Sequence, residues 1–339
     1  MLLMVLACAH VPEVAAPPSA PPRVPSLYSE MYVHHEAVPT DALVAKVWGS
    51  KLVEALSGAA GALAIRLAED RPVGTTELRW RAVLAGYPWR IVELRTQRVA
   101  IDEVPEDLLA AARAVSGRDL GLVRARGRGG DQWVLLTGER TGDLPAFSRE
   151  SSKGQRVAFP GYGWVAVPPS GEVRTGRDEL VLDESGEWLV ALTGATGEAT
   201  AFPLYVDRST PQAPPFTGAE AVEELEVEVL TRLEGLDGWY RRSASERDTL
   251  LDGVARARLR AYAAGEVLPP GEEQLAAAGF RDGSAGACTA ATVVECLDAM
   301  WWSTSGHAAL ATNWGSFGLA FQGGEGAVTL VVTGADRRD

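Results

Sequence analysis

Three side chains near the C-terminus have the types and spacing of a hydrolytic site. His307 closely follows Ser303 and Ser305, and Asp298 and Glu295 are the nearest acids in sequence. A histidine that contacts a serine hydroxyl can remove its proton, and a third group must orient the imidazole. The same histidine could instead be a structural residue that hydrogen-bonds its own turn. We favour the structural role, and a hydrolase using His307 with Ser303 or Ser305 is the alternative.

Four aromatic residues lie in or just after this segment: Trp301, Trp302, Trp314 and Phe317. Large aromatic side chains can line a groove for an apolar ligand, but they fill protein cores more often. The sequence leaves both uses open, so these four residues are candidates for a ligand groove.

Cys288 and Cys296 are eight positions apart. If both lay in one straight helix they would be about 12 Å apart, because the helix rises about 1.5 Å per residue. That distance is too long for a disulfide. Cys288 is expected to precede the helix, so a bridge requires the preceding chain to fold back. The pair is therefore a possible disulfide.

Metal chemistry is not indicated by the residue types. The chain has only four histidines and three cysteines, which excludes zinc-ribbon patterns. His34 and His35 are adjacent, and neighbouring residues on a helix or strand point in different directions, so one ion rarely binds both. We predict no metal and no cofactor.

The composition is that of a folded protein. The 339 residues are 46% hydrophobic and 23% charged, and this length suggests two or three domains. No apolar run is long enough to cross a membrane as a helix. The formal net charge of −13 argues against nucleic acid as a partner, because nucleic-acid binding requires a basic surface.

The N-terminus has features of an export signal. Val5-Leu6-Ala7-Cys8 resembles the lipobox of bacterial lipoproteins, in which the cysteine becomes the lipidated first residue. Residues 11–25 contain six prolines and are expected to form an extended spacer. We therefore expect Cys8 to be lipidated, and the protein to be anchored in the cell envelope or secreted, in a compartment that permits disulfides. The alternative is a chance cysteine in a short apolar tail.

Composition and periodicity divide the chain into five segments. Residues 1–26 hold the signal and linker, 27–140 an α/β domain, 141–206 a small β-sandwich-like domain, 207–217 a second linker, and 218–339 another α/β domain. Helical patterns predict helices within 27–66, 76–85, 103–115, 220–233, 246–264 and 289–302, the last with Thr289 as N-cap. Hairpins are expected at 120–137 and 317–332.

Three short matches suggest that the two α/β segments repeat one unit. They pair Ala85–Tyr87 with Ala278–Phe280, Leu120–Leu122 with Phe317–Leu319, and Trp133–Gly138 with Leu330–Gly334. The matches occur in the same order and at similar spacing. We predict a duplication, with chance recurrence of a helix and a hairpin as the alternative.

Four motifs within residues 220–334 occur in the order found in a known family. They are Leu251–Arg258 (LDGVARAR), Gln274–Phe280 (QLAAAGF), Trp301–His307 (WWSTSGH) and Phe317–Ala320 (FGLA). This series resembles the CAP (SCP-like) superfamily in its bacterial secreted form. The resemblance implies an α-β-α sandwich. Together with the repeat, it implies two CAP-like domains flanking a small all-β domain.

The resemblance also implies a central cleft, where many members hold a divalent metal with two histidines and two carboxylates. His307 corresponds to the second histidine. The first histidine is missing near Pro269–Gly271, an acid is missing near Ser284–Ala287, and Ser303 or Thr304 takes the place of the other carboxylate. A catalytic zinc needs about three protein ligands, so the cleft is expected to be degenerate.

These features predict a secreted or surface-anchored protein without catalytic activity. It would bind a hydrophobic small molecule, a glycan or an envelope protein, and its lipid anchor would attach it to a membrane. The hydrolase is one alternative, and an envelope scaffold without a ligand is another.

Overall fold

The computed structural model describes residues 51–337, apart from 72, 100–103, 116–117, 128–129, 146, 195–196, 217–223, 241–244, 268–270 and 325. The helices of this part are α1 (Glu54–Ala68), α2 (Thr75–Leu84), α3 (Glu106–Ala114), α4 (Leu225–Tyr240), α5 (Thr249–Ala263), α6 (Gly271–Ala277), α7 (Val293–Trp301) and α8 (Thr304–Ala311). The strands are β1 (Lys51–Leu52), β2 (Arg90–Val99), β3 (Asp119–Gly127), β4 (Gly130–Glu139), β5 (Glu150–Ser151), β6 (Gln155–Val167), β7 (Arg174–Leu182), β8 (Gly186–Gly194), β9 (Gly197–Val206), β10 (Glu246–Arg247), β11 (Phe280–Ala290), β12 (Ser316–Gly324) and β13 (Ala327–Arg337). The predicted α/β class is confirmed. Cys8, His10, His34, His35 and the predicted helical residues 27–50 lie outside the described part.

The N-terminal unit, from β1 to β4, is a four-stranded sheet between helices. Its strand order is β1-β3-β4-β2. Successive residues of a strand face opposite sides of the sheet. Val134 and Leu136 on β4 accordingly pack in the core that holds α1, whereas Trp133 and Leu135 pack in the core that holds α3. The unit therefore has three layers, α-β-α.

The C-terminal unit, from β10 to β13, repeats this plan with the strand order β10-β12-β13-β11. Val331 and Ala335 on β13 pack in the small cores formed with α5 and α6. Leu330 and Val332 point to the other face, where α7 and α8 lie. This unit is also an α-β-α sandwich.

Two glycines occupy the same structural position in each unit. Gly86 and Gly279 both have a positive φ, of 89° and 93°, and each follows a helix that leads into a strand. Only glycine adopts this backbone conformation readily, which explains the shared Ala-Gly-aromatic motif.

The strand register refines the predicted repeat. Gly121 pairs with Leu136, and Gly318 pairs with Thr333. Leu136, and not Thr137, is therefore the counterpart of Thr333, so the match between the two Thr-Gly ends is displaced by one residue. A shift of one residue moves a side chain to the opposite face of a sheet, which is why matching letters misplaced the repeat.

The middle of the chain forms one sheet of five strands, the central sheet, in the order β5-β9-β8-β6-β7. The predicted sandwich-like arrangement is not formed within this segment, because its described strands all belong to one sheet. All residues from Trp188 to Leu192 on β8 are buried. Side chains of α2, α4, α7 and α8 belong to the same core cluster as β8. Helices of the flanking segments thus cover the sheet where a second sheet was expected.

A cluster of tryptophans joins α2 of the N-terminal unit to α4 and to α7 of the C-terminal unit. Trp80 of α2 lies 6.2 Å from Trp239 of α4, 5.7 Å from Trp301 of α7 and 6.4 Å from Trp302, measured between ring centroids. The ring of Trp301 is also within 5.1 Å of the imidazole of His307. His307 therefore lies beside the junction of the two α/β units.

Several local predictions need correction. Strands β2 and β11 were not predicted, because the three arginines of β2 interrupt its apolar residues and β11 is rich in Gly and Ala, which have little strand preference. Thr289 lies in β11, and its hydroxyl is 2.9 Å from that of Thr329 on β13. The N-cap of α7 is instead Thr292, whose hydroxyl accepts from the Glu295 N–H at 3.2 Å.

Candidate functional site

His307 lies in the first turn of α8, and Ser303 fixes the start of that helix. The Ser303 hydroxyl accepts from the Gly306 N–H at 3.2 Å and donates to the Met300 carbonyl at 2.8 Å. A Cβ on Gly306 would lie only 2.3 Å from that carbonyl oxygen, so the turn requires glycine here. The Ser-Thr-Ser-Gly-His motif is thus the sequence of a tight helix start that turns His307 inward.

The imidazole of His307 is hydrogen-bonded through one of its two nitrogens. Nδ1 lies 2.9 Å from the carbonyl oxygen of Trp301. A carbonyl can only accept, so Nδ1 is the donor and Nε2 carries the lone pair in the neutral ring. Nε2 faces Oε1 of Glu187 at 3.6 Å. The acid beside His307 therefore comes from β8 of the central sheet.

Glu187 is the centre of a buried polar chain. The Tyr240 hydroxyl of α4 donates to Oε1 of Glu187 at 2.7 Å, and the Trp301 indole N–H donates to the Tyr240 oxygen at 2.8 Å. Tyr205 of β9 lies fully buried beside the same carboxyl. These groups come from the central sheet, from α4 and from the C-terminal unit, so the series of buried polar groups connects all three.

Burial controls the charge of this site. Loss of solvation raises the pKa of Glu187 to about 7, against the opposing effects of Tyr240, Arg208 and Tyr205. Loss of solvation lowers the pKa of His307 to about 4, against the opposing hydrogen bond to the Trp301 carbonyl. Both side chains are thus neutral in the folded protein from about pH 4 to 7.

The hydrolase arrangement, which the sequence left open as the alternative, is not formed among the described residues. Ser303 and Ser305 are exposed, whereas His307 is buried, and among the described residues no hydrogen bond joins the imidazole to either hydroxyl. Asp298 and Glu295 do not orient the ring either. The physical reason is that the helix start points the serines outward and the histidine into the core.

Asp298 faces the N-terminal unit instead. Its Oδ1 accepts from the Trp302 indole N–H at 3.2 Å, and Thr76 and Arg79 of α2 act on the same carboxyl. Burial raises the pKa of Asp298 to about 6, partly opposed by the Arg79 charge. Asp298 is thus a contact between α7 and α2.

Glu187 was not predicted as the partner of His307. It stands before an apolar run in a predicted strand, where an acid is usually a solvated strand end. Its burial depends on Tyr240 and His307, which are remote in sequence. Its one local sign is the position next to Trp188 at the start of β8, since that tryptophan is fully buried and this end of the strand is therefore covered.

The predicted aromatic groove needs correction in part. Trp301 and Trp302 belong to the core, at 0% and 3% exposure, and so cannot line an open groove. Trp314 and Phe317 border a recess of about 30 Å³ beside α4, about the size of one water molecule. The Trp314 indole N–H donates to the Ala308 carbonyl at 2.9 Å, which fixes that ring in the fold.

Cys288 and Cys296 form a disulfide, with their Cα atoms 5.6 Å apart. Cys288 is on β11 and Cys296 is on α7. The turn between strand and helix provides the fold-back that a bridge requires. The disulfide holds α7, and hence Trp301, against the sheet.

A second cavity is a groove between the N-terminal unit and the central sheet. Its volume is about 380 Å³, within the range of small-molecule sites, which is about 300–1,000 Å³. Leu78, Ile91 and Ala201 give it an apolar lining, and Arg79 and Arg90 add two cationic groups. None of these residues was predicted as a site, since their segments meet only in the folded chain.

Arg79 and the floor of the groove are held by the surrounding structure. The Arg79 guanidinium lies 4.1 Å from the centre of the Trp302 ring. The Thr200 hydroxyl donates to the Pro88 carbonyl, which links β9 to the segment before β2. Arg90, in contrast, is exposed at the rim and has no hydrogen-bond or ion-pair partner among the described residues.

The described residues show neither a metal cluster nor a membrane-spanning helix. No group of three or more His, Cys, Asp or Glu side chains is arranged to hold a metal ion. No helix in this part combines the length and hydropathy needed to span a membrane.

Comparison with known proteins gives distant similarities. No protein-family model and no curated protein matches the chain. An outer surface protein from Borrelia burgdorferi is 14% identical, with 36% of this chain and 100% of that chain covered and a TM-score of 0.30. A cysteine-rich secretory protein from Staphylococcus aureus is 11% identical, with 73% and 87% covered and a TM-score of 0.27. An extracellular SCP-domain protein from Bacillus anthracis is 11% identical, with 76% and 91% covered and a TM-score of 0.24. All three TM-scores are below 0.5, and we draw no functional conclusion from them.

Proposed function

We propose that this protein is a secreted or lipid-anchored, CAP-like binding protein without catalytic activity. The observation that carries the proposal is the burial of His307 beneath the central sheet. In the family that the sequence resembles, this residue lines an open cleft. Here Glu187 and Tyr240 cover it, and no substrate can reach the imidazole without displacing them.

The groove between α2, the start of β2 and β9 is the proposed binding site. Its apolar walls suit a hydrophobic body, and its two guanidinium groups suit an anionic head. Two cationic groups at one groove stand out on a chain whose formal net charge is −13. We therefore expect a small amphipathic anion as the ligand.

Binding of 1-anilinonaphthalene-8-sulfonate, an amphipathic anion, tests this site. We expect saturable fluorescence enhancement with the folded protein and at least tenfold weaker binding to Arg90→Glu. Arg95→Glu is the matched control, because Arg95 is an exposed arginine of the same strand that pairs with Glu93 and does not line the groove. Equal affinities of the two variants would reject the groove, and no binding at all would favour the scaffold.

A fluorophosphonate probe tests the absence of catalysis, because it labels serines that are activated as nucleophiles. We expect no labelling of the native protein above the level of the heat-denatured protein. Labelling that disappears in Ser303→Ala or Ser305→Ala would establish the hydrolase instead.

The envelope location is proposed from Cys8 and from the disulfide. Disulfides persist in oxidising compartments, which is consistent with the Cys288–Cys296 bridge. Metabolic labelling with an alkyne fatty acid is expected to modify the wild-type protein but not Cys8→Ser. Retention of the unlabelled wild-type protein in the cytoplasm would reject this location.

A further inference from the structure

A carboxyl and an imidazole from different parts of the chain meet inside the molecule without a catalytic role. Glu187 comes from the central sheet and His307 from the C-terminal unit. Their side chains are 2% and 1% exposed, and 3.6 Å separates Oε1 from Nε2. Oε2 of Glu187, Nε2 of His307 and the Tyr205 hydroxyl have no hydrogen-bond partner within usual geometry among the described residues. The pair lies at the interface between the central sheet and the C-terminal unit.

The other groups that face this pair do not supply a full counter-charge. Tyr240 donates a hydrogen bond to Glu187, and Tyr205 packs beside it as a neutral phenol whose pKa burial and the nearby carboxyl raise. Arg208 acts on the carboxyl from the segment after β9. Its guanidinium lies over the rings of Tyr205 and Trp239, at 5.9 and 6.0 Å, and Arg149 acts on Tyr205.

Burial makes each member of the pair unfavourable as a lone charge. Together they carry no net charge when they hold one proton, either as carboxylic acid and neutral imidazole or as carboxylate and imidazolium. The pair holds one proton in either form, whether that proton is on Glu187 or on His307. Burial favours the first form, since it raises the pKa of Glu187 to about 7 and lowers that of His307 to about 4.

We propose that Glu187 and His307 share one proton in the folded protein and thereby make the docking of the C-terminal unit on the central sheet insensitive to pH between about 4.5 and 6.5. In the unfolded chain the same two residues also hold one proton in this range, on the histidine, because a free Glu ionises near 4.3 and a free His near 6.5. Folding then neither takes up nor releases a proton through this pair.

Removal of either partner makes the folding equilibrium depend on pH, and the two removals change it in opposite directions. In His307→Gln, the folded state keeps a protonated Glu187 while the unfolded state loses that proton. Its folding equilibrium constant therefore falls about tenfold for each pH unit as the pH rises from 4.5 to 6.5. In Glu187→Gln, the folded state keeps a neutral His307 while the unfolded state gains a proton. Its constant falls about tenfold for each pH unit as the pH is lowered from 6.5 to 4.5.

Denaturant unfolding of the full chain at several pH values between 4.5 and 6.5 tests the proposal. Wild type, the two single variants and the double variant are compared, so that titration of all other groups cancels. We expect the free energy of unfolding of the double variant to depend on pH as that of wild type does. Relative to wild type, the free energy of unfolding should fall with rising pH in His307→Gln and fall with decreasing pH in Glu187→Gln. Single variants that run parallel to wild type would overturn the proposal.

A second measurement keeps the proposal testable if either single variant fails to fold. The substitutions His10→Gln, His34→Gln and His35→Gln leave His307 as the only histidine. We expect the ¹⁵N resonances of its imidazole to stay constant from pH 5 to 6.5 in the folded protein. A normal titration near pH 6.5 would overturn the proposal.

Discussion

At the scale of single residues, close contacts between helix and sheet depend on glycines. Gly318 of β12 lies under α5, and a Cβ built on it would be 2.2 Å from the backbone carbon of Leu251. Gly121 of β3 has the same relation to Leu56 of α1, at 2.3 Å. The Gly in each Leu/Phe-Gly-Leu motif thus lets the first helix of its unit approach the sheet.

Gly318→Ala is expected to destabilise the protein, because the added methyl group forces α5 away from the sheet. Overpacking of this kind costs about 1–3 kcal/mol. Gly253→Ala is the matched control, since Gly253 is inside α5 and a Cβ there meets nothing within 4 Å. In the control, the free energy of unfolding should rise by up to about 1 kcal/mol, because alanine has a better helix propensity than glycine. Chemical denaturation of both variants measures the difference, and equal effects would contradict the proposed close approach.

At the scale of elements, the segment from β11 to α8 decides where His307 points. The strand β11 ends at Ala290, Thr292 starts α7, and Ser303 starts α8. At the start of each helix, a hydroxyl side chain accepts a hydrogen bond from a backbone N–H, as expected for an N-cap. Periodicity predicted a helix over 289–302 and did not predict α8, because the apolar pattern cannot show which hydroxyl residue caps a helix.

Thr292→Ala is expected to loosen the first turn of α7, with a loss of about 1 kcal/mol in the free energy of unfolding. The Glu295 amide should then exchange with solvent faster, since it loses the Thr292 hydroxyl as acceptor. In Thr289→Ala the same amide should be unchanged, because Thr289 contacts Thr329 in the sheet. Hydrogen exchange by NMR distinguishes the two, and faster exchange only in Thr289→Ala would restore the predicted cap.

At the scale of the molecule, the central sheet and both α/β units share one core. Trp80 brings α2 of the N-terminal unit against Trp301 and Trp302 of the C-terminal unit. Trp133, by contrast, is equally buried but belongs to a separate core beneath α3. The helical layer of the N-terminal unit that contains α2 therefore forms the junction, and the layer that contains α3 covers a separate core.

Trp80→Ala and Trp133→Ala are each expected to cost about 3–5 kcal/mol, because both remove a fully buried indole. Only Trp80→Ala should disturb the C-terminal unit. In protein labelled with 5-fluorotryptophan, the ¹⁹F resonance of Trp302, assigned with Trp302→Phe, should shift in Trp80→Ala and stay in place in Trp133→Ala. An unshifted Trp302 signal in Trp80→Ala would contradict the described junction.

The sequence by itself determined the α/β class and the positions of the long periodic helices and the β-rich middle, because these depend on local patterns of apolar residues. It also located the shared Ala-Gly-aromatic and Gly-Leu motifs, because the positive φ and the close helix approach leave no residue but glycine. Common ancestry of the two units, domain boundaries and lipidation at Cys8 remain predictions.

The tertiary structure alone decided what surrounds His307. Neither the burial of His307 nor its pairing with Glu187 can be inferred from local pattern, because the two residues are far apart in sequence, one on the helix α8 and the other on the strand β8. The same holds for the groove at Arg90 and for the covered faces of β8. Desolvation and contact are properties of surfaces that meet, and these surfaces exist only once the three parts of the chain have packed together.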